Sequence, residues 1–339
     1  MEINRQVWFI HRMAFLTILV AGFFLFNGCS GKAPQKVYRV GILSSLSQLH
    51  ASIDGFKEKM AELGYIEGKN IIYDTHKTNP DPVTSKQVLN KFVADKVDLI
   101  FVSPTETALV AKAATKGTNI PVVFANAFLE GNNLVESVRQ PGGNITGVRF
   151  PGPEYAAKRL EMLHEIMPQA KRIWITYDPN NPNNPPTLEV LRFLASSIGV
   201  TLVEVPVASV AEIQADLERR DKSGDINMDA IMFIPDWLVV SPDSIAVVDK
   251  FTAAHKMPVT NPAIGPRDHA STILGYTSDP FEVGKLAAVI ADKIFRGTPA
   301  GRIPVVSPEA RLQINYKKAQ ELGLTVPEGL LSRADEIIR

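Results

Sequence analysis

Short apolar runs rich in valine and isoleucine alternate with stretches of helical spacing along most of this chain, and that alternation limits its fold more than any other feature. Residues 37–43 (VYRVGIL) read as a buried strand. Residues 53–63 follow with Phe56, Met60 and Leu63 at helical spacing, and Gly64 stands where a left-handed cap ends the helix. Further strands are expected at 70–73, 97–102, 121–124 and 145–148, with helices at 83–93 and 105–116. The cycle then restarts. Helices are expected at 155–166, 187–198, 210–220 and 244–255, between strands at 172–177, 201–205 and 230–234. Strand–helix–strand units of this kind form right-handed crossovers and a parallel sheet. Two series of similar length predict an α/β protein of two Rossmann-like, doubly wound parallel-sheet lobes. The C-terminal part adds a strand at 273–276, a helix at 281–295 capped by Asp279, a strand at 312–315 and a helix at 317–322. These complete both lobes if the chain crosses between them more than once. The expected partition is 37–150 plus about 277–300 for the first lobe, and 151–276 plus about 301–339 for the second.

The N-terminus is a separate object. Arg5 and Arg12 precede an apolar run from Met13 to Phe26, softened only by Thr17 and Gly22. As a helix this run rises about 21 Å, short of the roughly 30 Å hydrocarbon core, which suits a secretory signal better than a permanent span. A short anchor left in place is the alternative. The chain's single cysteine follows in Leu25-Phe26-Asn27-Gly28-Cys29-Ser30. This resembles the lipobox of bacterial lipoproteins: Gly28 fits the small position before the lipidated cysteine, whereas Phe26 and Asn27 depart from the usual residues. The reading is therefore an exported, periplasmic or cell-surface protein with a signal peptide at 1–28. A tether at 29–36 is held to the membrane by lipid on Cys29. Once that thiol is used, none is left for a disulfide.

Basic and acidic residues balance at 36 each, so no basic excess points to nucleic acid. Motifs for chemistry are missing. Gly64 to Asn70 (GYIEGKN) has the wrong spacing for a phosphate loop and lies between helix and strand. No G-x-G-x-x-G follows the first strand and no G-x-S-x-G elbow occurs. The histidines after the signal (50, 76, 164, 255 and 269) are scattered, with no pair at metal-ligand spacing. No cofactor, metal or catalytic residue is indicated, and the chain reads as a non-enzyme.

What does recur is polar or aromatic residues just after strands, where parallel α/β lobes bind ligands. The candidates are Ser44 and Ser45, Ser103 and Thr105, Asn126, Asp178, Asp236 with Trp237, and Tyr276; Phe128 and Phe150 are weaker cases. A helix opening at Ser103–Thr105 offers free N–H groups to an anion. Asp236 suits an ammonium, and Trp237 a flat or apolar body. Each polar candidate has helix capping as its alternative, and Trp237 has core packing.

Val40-Gly41-Ile42-Leu43, Glu62-Leu63-Gly64-Tyr65-Ile66-Glu67-Gly68-Lys69-Asn70, Ile120-Pro121-Val122-Val123-Phe124, Pro141-Gly142-Gly143-Asn144-Ile145-Thr146-Gly147-Val148 and Leu322-Gly323-Leu324-Thr325-Val326-Pro327 together resemble the ABC-transporter substrate-binding family, whose better-known members bind aromatic amino acids. The resemblance runs from about residue 38 to the C-terminus. It implies a type I periplasmic-binding fold with a multi-crossover hinge, a small-molecule ligand in the cleft, and a membrane permease with its ATPase as partners. It also places Asp236 at the family's acidic position in the second lobe, and Ser103 to Thr105 in its hydroxyl loop. Three loops depart from the family: Ala125 to Gly131, Asp178 to Pro186 and Asn261 to Asp268. All lie at predicted cleft positions, so the scaffold carries over and the ligand does not. A sensor that reports ligand without import is the competing reading.

Overall fold

The computed structural model describes residues 36–78, 81–263 and 271–339. The signal segment, Cys29 and the tether before Lys36 lie outside the described residues, as does most of the loop after Asn261.

Five parallel strands form the first sheet: β1 (Tyr38–Ser44), β2 (Ile71–Lys77), β3 (Leu99–Ser103), β4 (Val122–Ala127) and β5 (Ile145–Arg149), in the order β2-β1-β3-β4-β5. The central strands are largely apolar because both of their faces are covered. One face packs Val40, Ile42 and Phe101 against Phe56 and Met60 of α1 (Ala51–Glu62). The other packs Leu43, Val102 and Phe124 against α2 (Pro82–Ala94) and α3 (Thr105–Ala114).

The second sheet has seven strands in the order β12-β11-β10-β9-β8-β6-β7. They are β6 (Arg172–Tyr177), β7 (Thr201–Pro206), β8 (Ala230–Met232), β9 (Val259–Asn261), β10 (Thr272–Thr277), β11 (Arg311–Asn315) and β12 (Glu336–Ile338). Only the β10–β11 pair is antiparallel. On one face lie α4 (Gly152–Ile166), α5 (Asn184–Ser197), α9 (Tyr316–Glu321) and α10 (Glu328–Leu331). On the other lie α6 (Val210–Ser223) and α7 (Pro242–His255), around Trp174, Phe233 and Val259. Ser209 caps α6 at the Glu212 N–H, and Ser241 caps α7 at Ser244.

α8 (Pro280–Phe295) leaves the second sheet and joins the first, placing Val283, Ala287 and Ile290 in the core with Val40. Glycine makes this docking possible. A Cβ on Gly55 of α1 would stand 1.9 Å from the Phe281 carbonyl oxygen, and one on Gly284 would stand 2.0 Å from that of Ser52. Ile303 and Val305 also pack into the first lobe, and Val306 bridges to Val148. The first lobe's core thus extends a few residues past the changeover expected near 301, because this segment covers the open edge at β5.

The chain therefore passes between the sheets three times: at Phe150–Pro151, at Ser278–Asp279, and between Val306 and β11. The three passages hold one another. Arg149 Nε donates to Ser307 Oγ at 2.8 Å, Tyr155 Oη to the Pro308 carbonyl at 3.2 Å, and Arg311 pairs with Asp279 at 3.2 Å. Burial pushes the Tyr155 phenol up to about 12. Phe128, Phe150, Tyr155 and Tyr276 meet in series, tilted or edge to face, with ring centroids 5.1, 5.4 and 5.5 Å apart.

Candidate functional site

The carboxyl ends of β1, β3 and β4 make the first wall of the cleft. Ser44 and Ser45 are both buried at the end of β1. Ser45 Oγ shares a hydrogen bond with Thr107 Oγ1 at 2.7 Å, while Ser44 Oγ has no partner. Ser103 ends β3 and is followed by a cis peptide to Pro104. α3 opens there without a side-chain cap, and Glu106 supplies a carboxylate in its first turn. Thr105 Oγ1 accepts the Phe128 N–H at 2.9 Å, tying this loop to the one after β4. Asn126 adopts a left-handed φ of 53° and donates through Nδ2 to Ser103 Oγ at 3.4 Å.

The second wall is a network around Asp236, which is fully buried. Its Oδ1 accepts the Leu238 N–H at 2.9 Å. Its Oδ2 accepts the Asp178 N–H at 3.0 Å, Asn181 Nδ2 at 3.3 Å and Asn184 Nδ2. Both oxygens are thus engaged by the protein, and the carboxylate shapes the loop from Asp178 to Asn184. Asp178 is half-buried, and its own carboxylate accepts the Asn180 N–H at 2.9 Å, as an Asx turn does. Trp237, next to the network, is 54% exposed and outside every apolar cluster of the described residues, so core packing is not its role. Tyr276 is half-buried, its ring set edge-on to Tyr155 at the hinge.

The two walls touch. Asn183 Nδ2 donates to Glu106 Oε1 across the cleft at 3.2 Å, while Asn183 Oδ1 is buried without a partner. A Cβ on Gly131 would lie 2.7 Å from the Pro182 carbonyl oxygen, so the loops after β4 and β6 abut as well. Of the sequence candidates, Ser44, Ser45, Ser103, Thr105 and Asn126 fall on the first wall, and Asp178, Asp236 and Trp237 on the second; Tyr276 stands at the hinge between them. Sequence reasoning missed Glu106, Asn181, Asn183 and Asn184. The run of asparagines in 178–184 was visible as a loop, but its convergence on Asp236 needs the distance between two sheet ends. It also missed Arg159 on α4, although the residue lies on the helix's apolar face with Tyr155, Leu163 and Ile166, where a charge is unusual.

Two parallel-dominated sheets flanked by helices and joined by three crossovers define the type I periplasmic-binding architecture. The model of the family described as "ABC transporter substrate binding protein" matches residues 39–338, and the chain belongs to that family. Its members are solute-binding proteins and not enzymes. A tyrosine-binding protein of Clostridioides difficile (strain R20291) is 29% identical over 290 residues, which is 82% of this chain and 80% of that protein. A conserved domain protein of Vibrio cholerae superposes with a TM-score of 0.77 at 28% identity, over 89% of this chain and 100% of its own. A Streptococcus pneumonia structure in complex with L-Trp superposes with a TM-score of 0.78 at 25% identity, again over 89% and 100%. No helix among the described residues is long and apolar enough to cross a membrane.

Proposed function

We propose that this chain is the lipid-anchored, extracytoplasmic solute-binding component of an ABC importer, and that it captures a small aromatic or amphiphilic, amino-acid-like molecule between its lobes. The apposed carboxyl edges carry this reading: hydroxyls and Asn126 on one side, the Asp236-held asparagine loop and exposed Trp237 on the other, bridged by Asn183 and Glu106. Parallel sheets bind ligands at such edges, and an exposed indole offers a flat apolar face for stacking. That a relative is a tyrosine-binding protein and a structural neighbour is in complex with L-Trp supports this chemical class. In this reading the three crossover segments are the hinge, and ligand closes the lobes on itself. The permease and its ATPase receive the closed form. Cys29, lipidated after removal of residues 1–28, keeps the protein at the membrane.

A thermal-shift screen with L-tyrosine, L-tryptophan, other amino acids, nucleobases and organic acids tests the reading. A ligand at about 100 times its dissociation constant stabilises by about 2.7 kcal/mol. Stabilisation by an aromatic amino acid is the expected outcome, and stabilisation by none of the set overturns it. Uptake of labelled ligand in cells with the permease and ATPase separates import from sensing.

A further inference from the structure

Two of the loops that depart from the family pattern, Ala125 to Gly131 and Asp178 to Pro186, meet each other across the cleft. A Cβ on Gly131 would stand 2.7 Å from the Pro182 carbonyl oxygen and 3.3 Å from Pro186 Cγ, so a residue without a side chain lets the loops come this close. Gly131 also has a φ of 76°, which glycine adopts freely. Beside this contact, Asn183 Nδ2 donates to Glu106 Oε1 at 3.2 Å.

Each side of the contact is a platform built within its own lobe. On the first, the hydroxyl of Thr105, next to Glu106, accepts the Phe128 N–H, and Asn132 Nδ2 donates to the Phe128 carbonyl at 2.8 Å. On the second, Asp236 gathers Asn181 and Asn184, and Asn181 Oδ1 accepts the Asn183 N–H at 3.0 Å. Asn183 is the N-cap residue of α5, where an asparagine side chain ordinarily accepts an N–H of the first turn. Here it makes no cap bond. Its Oδ1 is buried without a partner, while its amide reaches into the opposite lobe. Glu106 is exposed apart from this bond. The bond therefore serves neither lobe's own fold. It is made only when the lobes are shut, so it favours the shut form by whatever free energy it contributes.

We infer that Glu106 and Asn183, with Gly131 giving the room, form a latch that sets the balance between the open and shut cleft. This rests on capture between the lobes and adds a device to it: the two are positioning residues, which touch each other and not the ligand, so they strengthen the hold on every ligand by one common factor.

Small-angle scattering and calorimetry on the full chain, with L-tyrosine and L-tryptophan, test the latch. Glu106→Ala removes the acceptor at an exposed side chain, and Asn183→Ala removes the donor. Without ligand, both variants are expected to show a larger radius of gyration than wild type, at an unchanged melting temperature for Glu106→Ala. Both are expected to lose about 5- to 10-fold in affinity, equally for the two ligands, and the double variant to lose no more than either single one. Glu106→Gln keeps an oxygen that accepts from Asn183 and is expected to recover most of the loss, which separates the latch from the effect of the carboxylate on the start of α3. A ligand-free radius unchanged in both alanine variants, or undiminished affinity in both, overturns the latch. A loss for one ligand and not the other makes the pair ligand contacts and overturns it as well. If the wild type binds neither compound the amino-acid-like reading fails, and the ligand-free radii still decide whether the latch exists.

Discussion

Replacing Asp236 by alanine separates a residue that builds the cleft from one that touches ligand. The carboxylate is fully buried and accepts from two backbone N–H groups and two asparagine amides. A hydrogen bond to a charged acceptor contributes about 1.5–3 kcal/mol net. The four are not additive, because a freed loop can turn its donors to water. Removing one member of a buried charged network typically costs about 3–5 kcal/mol, and that is the expected loss for Asp236→Ala. For a chain of this size such a loss lowers the melting temperature by roughly 5–8 °C. Asp236→Asn should cost less, since one oxygen still accepts, while the new amide faces an N–H donor. Ligand-free thermal melts, with urea denaturation as a check, measure both. If Asp236→Ala melts within about 1 °C of wild type and yet loses ligand, the network is dispensable and Asp236 is a contact after all.

Three further outcomes are expected. Trp237→Ala, at a side chain 54% exposed, should change ligand-free stability by no more than about 0.5 kcal/mol while weakening ligand binding by about 2 kcal/mol; calorimetry beside a thermal melt distinguishes this from a packing role, which reverses the two effects. Cys29→Ser should leave the protein as uncleaved precursor or release it from the membrane fraction, and a variant still processed and membrane-bound refutes the lipoprotein reading. Burial alone would raise the Asp216 carboxyl, but hydrogen bonds from Arg220 and Trp174 Nε1 and the charges of Arg220 and Arg219 outweigh it and hold the group below its usual range. A carboxyl lowered on folding contributes stability above its unfolded pKa that is lost as pH falls through the folded value. Asp216→Asn should therefore flatten the acid limb of a stability–pH curve below about pH 4.

Much of the scaffold was legible because local signals agreed with the final packing. The helix at 281–295 was readable from Asp279 as cap and an apolar stripe, and the structure places it at Pro280–Phe295. β9 was missed: at three residues, Val259–Asn261, it is too short for alternation to register, although Met257-Pro258-Val259 echoes the Ile120-Pro121-Val122 that opens β4. The short α10 and the edge strand β12 were likewise invisible to periodicity. The candidate site was legible as positions and not as roles. Strand ends could be counted from the sequence, but whether a carboxylate there is free depends on partners far along the chain. Asp236 meets Asp178, Asn181 and Asn184 from more than fifty residues away. Arg159 differs, since its place among Tyr155, Leu163 and Ile166 on the apolar face of α4 is itself visible in the sequence.

Closure of the two lobes on a small molecule is the central claim, and small-angle scattering of the purified chain with and without saturating L-tyrosine or L-tryptophan tests it most directly. The account predicts a smaller radius of gyration with bound ligand, as the walls carrying Glu106 and Asn183 are held together. Saturable binding with no change in the radius of gyration, and no loss of affinity in Trp237→Ala, would contradict capture between the lobes.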